Sequence, residues 1–105
     1  MPRNMMFDKE LTVVAIFKVG REKEDVLKHE LNELAQATRQ EQGCLSYILH
    51  SAFEKTGHYM VYENWRSRED FERHLQTTHF NTALAKAAEL FDEPAQVTWW
   101  LKMPD

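Results

Sequence analysis

The segment YMVYENW at 59–65 has the alternation of an extended strand. Side chains two positions apart in a strand lie on the same face, so Glu63 shares a face with Val61 and Trp65. A carboxylate among such apolar neighbours either finds a partner or has a raised pKa, and both outcomes are common at functional sites. The pattern therefore predicts a strand that carries Glu63 into an apolar environment.

A helix start signal follows this strand directly. Ser67, with Asp70 three residues later, is typical of a helix whose first amide groups are capped by side-chain oxygens. On the predicted helix at 68–76, the spacing places His74 on the same apolar face as Phe71. We therefore expect His74 to point away from solvent.

Two threonines at 77 and 78 interrupt the helical pattern and offer a hydroxyl cap to a second helix at 79–91. Phe80 belongs to the apolar stripe of this helix, and His79 lies in its first turn. The stretch 59–80 thus delivers a carboxylate, a tryptophan and two histidines from adjacent elements. If the strand and the helices fall where predicted, these groups can face one cavity.

The remaining elements follow from similar patterns. A nearly continuous apolar run at 11–19 predicts a central buried strand. A helix with an acidic start is predicted next, and Gly43 ends it. Alternation predicts strands at 44–53 and 95–103, and a hairpin at 54–58 joins the first of these to the strand already described.

The order strand, helix, strand, strand, helix, strand is typical of the split βαβ arrangement, a ferredoxin-like α+β fold. Such a fold has a four-stranded antiparallel sheet with its helices on one face. The opposite face keeps large apolar groups, including one of Trp99 and Trp100, and such a patch usually marks an interface. We expect two copies to pack sheet to sheet as a homodimer.

Length and charge bound the classes of function. The 105 residues suffice for one domain, which we place at 11–103 after a flexible amino-terminal arm at 1–10. A net charge of −4 without a basic cluster argues against a nucleic-acid partner. No apolar run could span a bilayer, no signal-peptide core is present, and the single Cys44 fits a reducing compartment. We therefore expect a cytoplasmic protein that does not contact membranes, with Cys44 as a small buried residue.

Three segments together resemble the antibiotic biosynthesis monooxygenase domain family, including its quinol monooxygenases: EQGCLSYILH at 41–50, YMVYENW at 59–65 and SREDFERHLQTTHF at 67–80. The resemblance covers about 11–103 and implies a dimeric α+β barrel of the ferredoxin-like type. It also implies oxidation of electron-rich phenols, quinols or anthrones by O2 without metal, flavin or haem. Such chemistry needs a base, a dry apolar pocket and room for O2.

The resemblance implies roles for residues of this chain. His74 or His79 is the base, and Glu63 orients the histidine or stabilises its charge. The residues expected to contact the substrate are aromatic or apolar: Tyr47, Leu49, Trp65 and Phe80.

Each of these residues also has a structural explanation. His74 can be a satisfied core histidine, and His79 can be a first-turn residue bonded to a nearby carbonyl. Tyr47 can simply pack, because alternation places it on one face with Leu45 and Leu49. The choice between His74 and His79 as base is left open by the pattern.

Other cofactors and relatives are disfavoured. A metal site of His74, His79 and Glu63 lacks the i, i+4 spacing of helical zinc pairs, so we expect neither metal nor any other cofactor. Haem-degrading relatives share Trp65, but they also use an asparagine on the first strand and a histidine inside the last helix, which this chain lacks at 11–19 and 81–90. The alternative function is a relative that binds or isomerises a small carbonyl metabolite without O2.

Overall fold

The computed structural model describes residues 9–104. Within them lie a short 3-10 turn at Arg21–Lys23 and seven longer elements: β1 (Leu11–Lys18), α1 (Glu24–Thr38), β2 (Cys44–Ser51), β3 (His58–Trp65), α2 (Arg68–His74), α3 (Thr78–Ala88) and β4 (Gln96–Leu101). The four strands form one sheet in the order β2-β3-β1-β4, and every neighbouring pair is antiparallel. The predicted ferredoxin-like α+β fold is confirmed. Of the predicted arm at 1–10, residues 1–8 lie outside the described part of the chain.

The core forms between one sheet face and the helices. Burial alternates along β3, where Tyr59, Val61, Glu63 and Trp65 are buried and the residues between them are partly exposed. Along α1 the buried positions recur at helical spacing: Leu27, Leu31, Leu34, Ala35 and Thr38. The face that was predicted to carry Glu63 inward therefore lies against the helices.

The face predicted for β2 is wrong at its first residues, because a bulge interrupts the pairing with β3. The register skips Leu45, which lies between the paired residues Cys44 and Ser46. The extra residue at a bulge is unpaired and interrupts the alternation of side chains between the two faces of the strand. Leu45 is consequently 52% exposed, whereas Tyr47 is buried.

The last helix is shorter than the pattern predicts. It ends at Ala88 and not at Phe91, because Phe91 forms an isolated antiparallel bridge with Val19. The Phe91 ring also stacks on Phe17 of β1, with 4.9 Å between the ring centroids. Phe91 thus belongs to the sheet side of the core. None of the helices in residues 9–104 is long and apolar enough to cross a membrane.

The second face of the sheet is not covered by any described helix. Ile16, Ile48 and Trp100 project from it and are all exposed. Trp99 projects from the helix face, where its ring meets that of Phe71 edge-on at 5.2 Å. The uncovered face therefore has one of the two tryptophans, as the sequence predicts.

A buried carboxylate joins the start of α2 to the loop before β2. Asp70 is 3% exposed and accepts hydrogen bonds from Arg66 Nε at 2.8 Å and Arg73 Nη1 at 2.7 Å. Burial alone would raise the pKa of Asp70, but these guanidinium groups and Ser67 hold it below its usual value. Gly43 lies against this carboxylate: its φ is +94°, and a Cβ there would be 2.4 Å from Cγ of Asp70. The Asp70 cluster thus fixes the loop relative to the helix.

Replacing Asp70 with Asn should lower the free energy of unfolding at pH 7 by roughly 2 kcal/mol, because two charge-assisted hydrogen bonds are weakened. Urea unfolding followed by circular dichroism measures the loss. Glu69→Gln, at an exposed position of the same helical turn, is the matched control and should cost less than about 1 kcal/mol. Equal stability of the two variants would show that the Asp70 cluster does not hold the fold.

Candidate functional site

An apolar cavity of about 310 Å³ lies between the sheet and the helices. Most of its lining is aliphatic or aromatic and includes Val13, Phe17, Val61, Phe71, Leu84 and Trp99. Among its lining residues, Glu30, Tyr47, Glu63 and His74 have ionisable side chains. A concave, largely apolar site with a few polar groups is typical of small-molecule binding.

His74 lies at the end of α2 and is 1% exposed. Its ring packs against Trp65 at 4.7 Å and Phe80 at 4.9 Å between ring centroids. Nδ1 lies 2.6 Å from Oε2 of Glu41. Because a carboxylate only accepts, the proton of a neutral His74 resides on Nδ1, and Nε2 keeps a lone pair. Burial lowers the pKa of His74, although Glu41 opposes that effect, so the neutral ring is favoured at neutral pH.

Glu41 is the functional residue that sequence reasoning missed. It lies in the loop between α1 and β2, and its Oε2 is also 2.6 Å from Nε2 of His79. One carboxylate oxygen therefore accepts from both histidines. Glu41 begins the segment EQGCLSYILH that carries the family resemblance, and this was the one signal that could have pointed to it.

His79 lies in the first turn of α3, where Thr77 caps the helix by accepting from the Phe80 amide at 3.2 Å. It is 31% exposed and lines a separate, more polar cleft beside Glu33 and Lys86. His74 lines the apolar cavity, and His79 does not. The sequence left open which histidine is the base, and the structure places only His74 at the apolar cavity.

Glu63 lies on the cavity wall, as β3 predicts, but it does not orient a histidine. Its Oε1 accepts a hydrogen bond from Nε1 of Trp65 at 2.9 Å. The prediction for Glu63 is wrong because Glu41, on a loop, occupies the place beside the histidines. Burial raises the pKa of Glu63 to about 7, and the bond from Trp65 only partly opposes this shift. Near neutral pH the carboxyl is therefore protonated in much of the population.

Tyr47 and Phe80 line the cavity, as predicted. Trp65 and Leu49 are not among the lining residues of this cavity, so their expected contact with a substrate stays a prediction. Trp65 is completely buried, since His74 packs on it, and it supports the wall through Glu63. Leu49, on the edge strand β2, packs against the core outside the lining.

Two further side chains stay protonated. Burial raises the pKa of the Tyr47 phenol well above its ordinary value, and Glu63 adds to the shift. Burial raises the pKa of the partly buried Cys44 thiol to about 11. Neither residue is an anionic nucleophile at neutral pH.

A metal-type ligand set is present among the described residues, but it differs from the set of His74, His79 and Glu63 that the sequence analysis considered and disfavoured. Oxygen or nitrogen atoms of Glu41, His74 and His79 all lie within 4.8 Å of one another. Glu63 is not part of this set. The spacing argument fails because the chain turns between the two histidines.

A ferredoxin-like domain with an apolar cavity and a carboxylate-bound histidine on its wall is the class that the fold and site define. Residues 11–86 match the family described as "Antibiotic biosynthesis monooxygenase". The chain belongs to this family, as its sequence motifs predict.

Two curated relatives carry the name "Putative monooxygenase". YcnE of Bacillus subtilis (strain 168) is 32% identical over 90 residues, which cover 83% of this chain and 92% of YcnE. Rv0793 of Mycobacterium tuberculosis is 30% identical over 88 residues, which cover 84% of this chain and 86% of Rv0793. The solved structure of Rv0793 superposes with a TM-score of 0.86 over 91% of this chain and 97% of that one, at 27% identity. These likenesses support a general monooxygenase-like role.

Replacing Glu63 with Gln should raise the free energy of unfolding at pH 8 and change it little at pH 4. The unfolded carboxyl loses its proton near pH 4.5 and the folded one near 7, so the free energy of unfolding falls as pH rises through this window. The gain from Gln should approach about 3 kcal/mol above pH 7. Urea unfolding at several pH values measures it.

Glu54→Gln, in an exposed loop, is the matched control for this experiment and should follow the wild-type pH profile. Parallel profiles for wild type and Glu63→Gln would mean that the Glu63 carboxyl does not titrate late in the folded protein.

Proposed function

We propose that this protein is a cofactor-independent monooxygenase that oxidises a phenolic, quinol or anthrone-like small aromatic molecule with O2. The observation that carries the proposal is His74: a buried imidazole on the wall of an apolar cavity, bound at Nδ1 by Glu41 and free to accept at Nε2. Family membership supports the monooxygenase class. The substrate class is the one that the family resemblance implies, and the apolar lining of the cavity supports it.

An apolar aromatic substrate fits this cavity better than a charged one does. The rings of Phe71, Phe80 and Trp99 line it, and aromatic rings prefer offset or edge-on contacts with such side chains. The apolar lining also excludes water, which protects a reactive anion and retains O2.

The first chemical step is removal of the hydroxyl proton by Nε2 of His74. A phenol has a pKa near 10, so it is mostly protonated at neutral pH and reacts poorly with O2. Glu41 stabilises the imidazolium that forms, because it accepts from Nδ1. The electron-rich anion remains in the apolar cavity.

Oxygen insertion then needs no cofactor electrons, because the substrate supplies them. A ring carbon of the anion bonds to one atom of O2 and forms a peroxide, which takes up the proton. The O–O bond breaks: one oxygen atom stays on that carbon as a carbonyl, and the other leaves as water with the hydrogen from that carbon. Protonated Glu63 offers a hydrogen-bond donor to the developing oxyanion.

A second candidate function is supported by the same two groups. A base and a carboxylic acid that line one cavity suit proton transfer next to a carbonyl, with His74 removing the proton and Glu63 binding the carbonyl oxygen. Such an isomerase would not consume O2. Oxygen uptake with a panel of quinols therefore separates the two functions.

Replacing His74 with Ala should lower O2 uptake at pH 7 by roughly a hundred- to ten-thousand-fold, because general-base catalysis is lost. Uptake should partly recover at high pH, where the substrate ionises unaided. An oxygen electrode measures the rates, and His74→Gln provides a variant of closer size. His29→Ala, which changes an exposed histidine of α1 outside the cavity lining, is the control and should keep the wild-type rate.

Wild-type uptake by His74→Ala would exclude His74 as the base. If both His74 variants unfold while His29→Ala does not, His74 is a structural histidine. If wild-type protein oxidises no quinol, the monooxygenase proposal is refuted and the isomerase proposal remains.

We also propose that the uncovered sheet face forms a homodimer, because it exposes Ile16, Ile48 and Trp100 together. Light scattering at tens of micromolar should give about twice the 12.5 kDa of one chain. Ile48→Asp should shift the protein toward monomer, whereas Phe53→Asp, at an exposed position just after β2, should not. A wild-type monomer at these concentrations would refute the dimer.

A further inference from the structure

We infer that Glu41, His74 and His79 form a binding site for a transition-metal cation, with Zn²⁺ as the matching ion. Binding of this ion stops His74 from accepting a proton in the cavity. The inhibition, though not the binding, rests on the proposed function. The monooxygenase proposal does not require a metal ion, because it uses Glu41 and His74 in their metal-free hydrogen-bonded arrangement.

Three separate elements bring the ligand atoms together. Glu41 comes from the loop before β2, His74 from the end of α2, and His79 from the first turn of α3. Their oxygen and nitrogen atoms lie within 4.8 Å of one another, and Oε2 of Glu41 is 2.6 Å from a nitrogen of each histidine. Convergence of two imidazoles on one carboxylate is the arrangement from which a three-ligand site is built.

The turn between the histidines is itself held by hydrogen bonds. Thr77 Oγ1 donates to the carbonyl of His74 at 2.8 Å. Asn81 Nδ2 donates to the carbonyls of Thr77 at 2.9 Å and Leu75 at 3.1 Å. The direction in which His79 leaves the turn is therefore fixed, which reduces the entropy that a metal would have to overcome.

The donor set selects a class of ion. Two imidazoles and one carboxylate bind Zn²⁺ in many three-ligand sites, and imidazole disfavours Mg²⁺ and Ca²⁺ relative to Zn²⁺, Cu²⁺ or Ni²⁺. Tetrahedral Zn²⁺ with bonds of about 2.0–2.1 Å keeps its ligand atoms roughly 3.3 Å apart. Glu41 would thus have to withdraw by less than about 1 Å from each nitrogen, and the two nitrogens, which lie within 4.8 Å of one another, would have to take the same spacing.

An ion can reach this set without passing through the apolar cavity. Exposure rises from 1% at His74 to 14% at Glu41 and 31% at His79. His79 opens into the polar cleft, whose walls include Glu30 and Glu33. Glu30 pairs with Lys86 at 3.8 Å, and Glu33 lies 3.6 Å from Nε2 of His29, so the cleft has mixed charge and offers a polar route to His79.

The consequence for the cavity follows from the chemistry of imidazole. A metal bound to Nδ1 of a neutral His74 leaves the ring proton on Nε2. Nε2 is then a donor and has no lone pair to accept the substrate proton. Zn²⁺ bound at this cluster should therefore inhibit, although it does not enter the cavity.

Binding is tested on the untagged full chain by equilibrium dialysis against buffered Zn²⁺ and by the visible absorption of Co²⁺. We expect one ion per chain, with Co²⁺ bands typical of tetrahedral coordination. His79→Gln and Glu41→Gln should each weaken Zn²⁺ binding at least tenfold. His29→Gln changes an exposed histidine of the same polar cleft outside the ligand set; it is the control and should bind as wild type does.

Thermal unfolding gives a readout that is independent of catalysis. Zn²⁺ should raise the melting temperature of wild type and His29→Gln but not that of His79→Gln, because the ion stabilises only a folded state whose site is intact. No binding at 100-fold molar excess of Zn²⁺, or equal affinity of wild type and His79→Gln, would overturn the site.

Inhibition is tested by O2 uptake in zinc-buffered solution. Saturating Zn²⁺ should reduce the wild-type rate at least tenfold, a chelator should restore it, and His79→Gln should resist inhibition at the same free Zn²⁺. Stoichiometric binding with an unchanged rate would overturn the link to the base. If no quinol is oxidised, the proposed function falls, and the dialysis and Co²⁺ spectra still decide the metal site.

Discussion

The Asp70 cluster is the constraint on which the candidate site depends. It holds the start of α2 against the loop before β2, where Gly43 leaves room for the carboxylate and its carbonyl accepts from the Arg66 amide at 2.8 Å. That loop carries Glu41, and α2 carries His74. The 2.6 Å contact between these two residues therefore depends on the buried Asp70 carboxylate, which is paired with two exposed arginines outside the cavity. Because charge-assisted hydrogen bonds are directional, they suit such a positioning role.

Desolvation then sets the chemistry of the cavity wall. Burial disfavours whichever form of a group is charged, so it lowers the pKa of His74 and raises that of Glu63. Both groups are shifted toward their neutral forms near pH 7, which provides one acceptor and one donor in the same apolar space. A polar lining would remove this difference, because water would solvate both charged forms.

Local patterns predicted the features that local forces determine. The alternation along β3 places Glu63 and Trp65 on the buried face, and Ser67 caps α2 by accepting from the Asp70 amide. The bulge at Leu45 was not predictable, because an extra residue leaves no mark in the apolar pattern. Glu41 was missed for a related reason: its contact with His74 spans 33 positions and ends in a loop without periodicity. Alternation placed Trp65 on the buried face of β3, but it could not show that Trp65 lies behind the residues that line the cavity.

The break between α2 and α3 decides how many residues the site can contain. In an unbroken α-helix, 100° per residue would place position 79 about 140° around the axis from position 74, on a different face. The turn at 75–77 changes the direction of the chain, so that both imidazoles reach Oε2 of Glu41. One histidine then borders the apolar cavity and the other the polar cleft. Because Glu41 joins them, a change of protonation or ligation on the polar side can alter which nitrogen of His74 is available inside the cavity.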